Sequence, residues 1–312
     1  MAEFIYLIKE AVLRFKQEQY NSSILLLHQT PTTTRSPVRR STNLAKSNKF
    51  ESELAYARNL ASSLKRQTSV RHSFFFRATQ SDPLPPAVLL LQNRSGNGLH
   101  LKMALLYLWA AGSENTDPGS GTPHTVKRLH YPDVAHLFGF ENPDNQGKRR
   151  VANAKNRLVD IGLISSEARP GKSPIITLLK EDGSGDLYSP PGSKGAGGKY
   201  LTLPRGFWSK GWYLHLSGSA LISMLALMYM QKSSSNKTVW INPTMRQRNF
   251  GFSEDAWYGG TKELAQLGLI TQSTRAVRQP FQDDPQQRRH TYEFHFDVLR
   301  TQEPPLLIDK AS

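Results

Sequence analysis

Apolar positions along the chain follow a helical rhythm in most places and a two-residue alternation in a few, and this order of rhythms occurs twice. Phe4, Ile5, Ile8, Val12 and Phe15 share one face and predict a helix over residues 1–20, suited to docking or dimerisation. Residues 30–50 carry no apolar rhythm and read as a mobile basic linker. A second short helix is expected over 51–66, and the basic stretch 31–80 as a whole reads as an arm or tether. Pro83, Pro85 and Pro86 then mark a boundary. Leu101, Leu105, Leu108 and Trp109 give the next helix its apolar face. After a Gly/Pro/Ser loop over 112–124, a short helix is predicted over 131–138, with Val134, Leu137 and Phe138 inward and Gly139 as its stop. A longer helix follows over 146–161. Leu163 and Ile164 open a strand, 168–174 turns, and 175–179 returns.

The second half repeats this order. Ser217 is a good N-cap for a helix carrying Leu221, Ile222, Leu225, Ala226 and Met228. Residues 239–241 read as a short strand. Pro243 sits at the favoured first position of a helix that Gly251 ends. Ser253 caps the next helix, whose positive end is matched by Glu254 and Asp255. Leu269 and Ile270 open a hairpin. The alternation of Tyr292, Phe294, Phe296 and Val298 predicts a closing strand over 291–298, with a loose tail beyond Arg300.

The repetition also appears in the letters. Phe138-Gly139-Phe140 precedes Gly162-Leu163-Ile164, and Phe250-Gly251-Phe252 precedes Gly268-Leu269-Ile270. The expected fold class is therefore mainly α with small β-hairpin wings (α+β). The expected segments are an N-terminal helical and basic extension over 1–86, a first domain over 87–188, a Gly/Pro/Ser linker over 189–199, a second domain over 200–300 and a tail over 301–312.

Composition narrows the partners. Lys and Arg outnumber Asp and Glu by 40 to 25, a formal net charge of +15, which favours a polyanion. With no Cys there are neither disulfides nor thiolate metal sites. The longest apolar run, 220–230, is well short of the ~20 residues a membrane span requires. No secretory signal is visible at the start, and the expected location is the cytoplasm, associated with the nucleoid.

The helix order with a terminal hairpin, carried by the two Phe-Gly-Phe and Gly-Leu-Ile landmarks, resembles the winged helix-turn-helix superfamily. The segment from Tyr200-Leu201-Thr202-Leu203-Pro204 through Trp208 and Gly211-Trp212 is similar to tandem winged-helix proteins of bacteria and their mobile elements, and more remotely to plasmid replication initiators. The resemblance implies two winged helix-turn-helix domains in tandem and sequence-specific binding of double-stranded DNA, with a third helix in the major groove.

In the first copy, Val151, Ala154, Leu158 and Ile161 fall on the core side of that helix. Arg149, Asn153 and Asn156 fall together on the outer face, where Arg pairs with guanine and Asn with adenine. Lys148, Arg150, Lys155 and Arg157 suit phosphates. Residues 146–158 contain no acid, whereas an ordinary solvated helix mixes both signs. Arg169 and Lys172 form a basic wing turn. In the second copy Trp257, Tyr258, Thr261 and Lys262 are expected outside, with Arg246 and Arg248 in the preceding helix and Arg275, Arg278, Arg288 and Arg289 around a long wing as backbone contacts. The aromatic pair equally suits a protein interface or packing into the core.

No catalytic constellation is visible, and no metal or cofactor is expected. Gly198-Lys199 does not form a phosphate loop, because Ser193 stands at the required first Gly and Tyr200 at the required Ser/Thr. The expected function is a non-enzymatic transcriptional regulator. The alternatives are a replication initiator, recruiting helicase through the Trp257/Tyr258 surface, and a protein-interaction module. A homodimer and the replication or transcription machinery stand beside DNA as partners; a membrane does not.

Overall fold

The computed structural model describes residues 39–64, 67–92, 97–111, 123–126, 129–192, 198–277 and 287–305. The helix expected over 1–20, residues 193–197 of the Gly/Pro/Ser linker and Arg278 lie outside the described residues. Two compact units are delimited, residues 1–47 and 48–312. The description below concerns the second.

Helix α1, Arg39–Leu64, takes in much of the stretch expected to be a linker. In its second half Leu54, Ala57 and Ala61 recur at helical spacing and are buried. Strand β1, Thr68–Arg71, follows, then Phe74 and Phe75, both fully buried. The extension is therefore built into the core from residue 51 onward, because its few apolar residues are aromatic or correctly spaced.

The first copy of the repeat comprises α2 (Pro86–Leu91), α3 (Leu99–Ala111), β2 (Thr125–Val126), α4 (Tyr131–Leu137), α5 (Lys148–Asp160), β3 (Ile164–Arg169) and β4 (Lys172–Leu178). Its three strands run antiparallel in the order β2-β4-β3. Helix α3 is buried on nearly every side, the mark of a central helix. Strand β5, Tyr200–Leu203, pairs antiparallel with the distant β1. Short helices α6 (Gly206–Ser209) and α7 (Trp212–His215) then carry Phe207, Trp208, Trp212 and Tyr213 into the core.

The second copy comprises α8 (Gly218–Ser233), α9 (Pro243–Met245), which runs into a wide turn through Phe250, α10 (Glu254–Gln266), β6 (Ile270–Val277) and β7 (Gln287–Phe294). The strand expected at 239–241 is a single bridge, Val239 to Tyr292, in the place that β2 holds against β4. Alternation was expected to run to Val298, but the strand ends at Phe294 and α11, Phe296–Thr301, follows. Helical pitch there turns Leu299 into the core beside Gly206, where alternation would not.

The repeated glycines are helix stops in both copies. Gly139 and Gly251 have φ of 71° and 70°, and Gly162 and Gly268 both have 71°, a conformation that glycine alone adopts without strain. One hydrophobic cluster spans both copies. Trp109 of α3 stacks on Trp208 of α6 with centroids 4.7 Å apart and planes 2° from parallel. The Tyr213 hydroxyl donates to the Leu137 carbonyl at 3.0 Å. The protein is thus a mixed α and β fold in which two similar helix-helix-hairpin units share a core.

Candidate nucleic-acid interface

Helix α5 is held against the first copy by a narrow inward stripe. Val151, Ala154 and Leu158 are fully buried. Just before the helix, a Cβ at Gly147 would stand 2.8 Å from that of Ala135, so the lack of a side chain there lets α4 and the start of α5 approach closely. The stripe leaves Lys148, Arg149, Arg150, Asn153 and Asn156 exposed, as expected. The only acid of α5 is Asp160, its last residue. The Arg150 guanidinium lies over the Phe140 ring at 5.2 Å, which restricts its directions.

Two expected phosphate contacts point elsewhere. Arg157 is half-buried and donates to the Leu89 carbonyl at 3.2 Å, tying α5 to α2. Lys155 reaches the Ser166 hydroxyl of β3 at 3.5 Å. Both residues lie on the flanks of the inward stripe, one position from Ala154 or Leu158, so their chains run along the protein surface.

The wing of the first copy is a two-residue turn. Arg169 pairs with Lys172, and Pro170 and Gly171 (φ 66°) span the corner, a turn that needs a glycine at its second central position. The Arg169 guanidinium folds back on the Ser173 carbonyl at 3.0 and 2.7 Å. It is engaged within its own hairpin, and His130 fixes the same turn by a 2.6 Å contact with the Ser173 hydroxyl.

The second copy departs from expectation at Trp257. It is 4% exposed, its indole N–H donates to the Tyr292 hydroxyl at 3.3 Å, and it stacks near Phe252. Trp257 is a core residue and not an outer one, and so is Thr261, which is 2% exposed and whose hydroxyl donates to the Trp257 carbonyl at 2.9 Å. The reason is register: Trp257 stands 11 residues before Gly268 (268 − 257), as Val151 stands 11 before Gly162 (162 − 151), so both face inward. The same counting sets Asp255 against Arg149, Gly259 against Asn153 and Lys262 against Asn156. The outer face of α10 thus carries an acid and a bare glycine where α5 carries Arg and Asn.

Tyr258 is 65% exposed and Lys262 is exposed. Arg246, expected to meet phosphate, has its side chain only 14% exposed and pairs with Glu254 at 3.3 Å. Arg248 is exposed, and its carbonyl accepts from Arg77 at 2.6 Å. Arg275 is exposed on β6, directly opposite Arg289 of β7. The Arg289 guanidinium lies over the Trp240 ring at 4.2 Å, and Trp240 remains 42% exposed. The sequence places Trp240 in a short strand without a role, and no local signal links it to Arg289; the bridge of Val239 to Tyr292 does so only in the folded chain.

Charged groups inside the fold have structural surroundings. Burial lowers the Lys102 ammonium to about 8, opposed by the Glu263 carboxylate. Burial, with Lys232 and Lys199, lowers His72 from 6.5 to about 4. Among the described residues no group of three His, Cys, Asp or Glu side chains could hold a metal ion, and no helix is long and apolar enough to cross a membrane. The chain has no significant match among protein-family models, curated proteins or solved structures.

Proposed function

We propose that the protein binds double-stranded DNA without catalysing a reaction, and that each copy of the repeat is a winged helix-turn-helix. In this reading α5 enters the major groove. Arg149 and Asn153 meet base edges, Asn156 extends the same face, and Lys148 and Arg150 hold phosphates. The observation that carries the reading is the exposed face of α5, where three cations and two asparagines meet no acid before Asp160. A two-sided protein-binding helix of this size would be expected to mix charges. The net charge of +15 supplies the long-range attraction.

Selection of bound duplexes from a random pool tests this proposal. Enrichment of a motif that depends on Arg149 and Asn153 is expected; no enrichment, with no binding at low salt, overturns it. Two roles fit such binding, transcriptional regulator and replication initiator. The shared core favours a site read by one chain with two unlike halves, since α5 and α10 differ at matched positions. A non-palindromic motif repeated in tandem would point to the initiator role. A single palindrome at one promoter would point to the regulator.

A further inference from the structure

The two copies differ in which surface is free to meet a polyanion. In the second copy, α10 offers Asp255 and Gly259 at the positions of Arg149 and Asn153, and Glu254 takes up Arg246. Its hairpin is the better surface. Side chains alternate across a strand, so Arg275, Ser273 and Thr271 share one face of β6, and Arg289, Thr291 and Glu293 share that face of β7 through their register; Thr291 is buried, and Glu293 lies opposite Thr271, four residues along the strand from Arg289. Tyr292 and Phe294 lie buried on or toward the core side of the hairpin. Trp240 follows Val239, which pairs with Tyr292, and so falls on the face of Arg289, where the stack at 4.2 Å is seen.

This face sets two arginines directly opposite each other, an arrangement that repels in the absence of an anion. The partly exposed Trp240 ring lies under one of them, with the Arg289 guanidinium carbon 4.2 Å from its centroid. A guanidinium stacked on an aromatic ring keeps its edge N–H groups available to phosphate. The indole remains partly open beside it and can cover a sugar. We propose that the second copy engages DNA through the outer face of its hairpin, with Arg275, Arg289 and Trp240 on the sugar-phosphate backbone, and not through α10. The inference rests on the DNA-binding reading and assigns this surface to affinity rather than base preference.

The test uses the full chain and a duplex of roughly 40 base pairs, about four helical turns, carrying the selected site. Affinity is followed against salt for the wild type, for the double variant Arg275→Ala/Arg289→Ala, for Trp240→Ala and for Asp255→Ala. The double variant should lower the slope of log K against log salt by about 1.8, two phosphates at ~0.9 each, with the selected motif unchanged. Trp240→Ala should weaken binding several-fold at unchanged slope. Asp255→Ala should bind as well as wild type or better. Arg275→Lys/Arg289→Lys should retain the slope, separating charge from any folding defect. An unchanged slope in the double variant overturns the proposal while leaving the α5 reading intact. A wild type that binds no duplex at low salt overturns both.

Discussion

A Cβ atom on Gly98 would stand 2.5 Å from the Cα of Gly218, so the residues at the heads of the two long buried helices, α3 and α8, touch backbone to backbone. Gly98 also has a φ of 74°, so a side chain there meets both a wall and a strained backbone. Gly98→Ala should destabilise the fold by about 3 kcal/mol, from overpacking plus left-handed strain. Gly218→Ala should cost less, about 1–2 kcal/mol, because its nearest obstacle is the Leu91 side-chain tip at 2.5 Å, which can shift. Urea unfolding of the two variants ranks them, and the reverse order would refute this account of the contact.

The buried pair of Arg71 and Glu181 joins β1 to the segment after β4; their side chains are 7% and 2% exposed. The Arg71 guanidinium also donates to the Ser189 carbonyl at 2.5 Å. Glu181→Ala strands a buried cation and should cost ~3–5 kcal/mol. The double replacement Arg71→Met/Glu181→Leu should recover part of that loss, because neither charge then has to be desolvated. A double variant no more stable than Glu181→Ala would show that the contacts of Arg71 with the Ser189 carbonyl and with the Tyr188 ring, 5.6 Å from its guanidinium, dominate.

His72 gives the fold a pH dependence of definite sign. Its ring stands edge-on to Tyr229 at 4.6 Å, and its folded value of about 4 lies below the ordinary 6.5. The folded state therefore binds fewer protons than the unfolded one. The contribution is complete above 6.5 and is lost as pH falls toward 4. His100 and His215, also lowered by burial, act in the same direction. Unfolding midpoints measured across this window should fall on acidification, and His72→Gln should flatten the dependence. An identical slope in the variant would assign the effect to the other two histidines.

Trp257 and Tyr258 are neighbours with opposite roles. Trp257→Ala removes a buried indole and should cost about 3–5 kcal/mol. Tyr258→Ala, at 65% exposure, should stay within about 0.5 kcal/mol of wild type. Thermal or urea unfolding distinguishes them directly. Equal small effects would mean that Trp257 is not in the core.

Arg149→Ala and Asn153→Ala should each weaken binding to the selected duplex by ~1–3 kcal/mol and relax preference at one base pair. Lys148→Ala should weaken all duplexes alike and lower the salt slope by about 1. Fluorescence anisotropy on matched and singly substituted sites separates the two patterns. Unchanged preference in both Arg149 and Asn153 variants would remove α5 from the reading role.

Local features were written in the letters. Ser217 and Ser253 cap their helices through side-chain hydrogen bonds to Ala220 and Ala256, as serine before an apolar run dictates. The four repeated glycines take the left-handed turn that ends a helix. The inward stripe of α5 and its exposed cations follow from the 3.6-residue period alone. Trp257 was legible too: counting back from Gly268 turns it inward, in line with the core-packing reading of the aromatic pair and against the outer one.

Tertiary structure alone decided the rest. The pairing of β1 with β5, the burial of Phe74 and Phe75, the pairing of Arg71 with Glu181 and the stack of Trp109 on Trp208 join segments far apart in sequence, and no local period encodes which distant partner a strand or ring will meet. Arg157 and Arg246 are written as free cations; only the folded chain puts a carbonyl or a carboxylate beside each. Trp240 and Arg289 lie 49 positions apart (289 − 240) and form a surface only because Val239 is bridged to Tyr292. Most of the elements and the repeat depend on neighbours a few residues away and are written in the chain; the bridge at Val239 and the helix over Phe296–Thr301 are not. The merging of both copies into one core, and the choice of which basic side chains stay free, came from long-range packing.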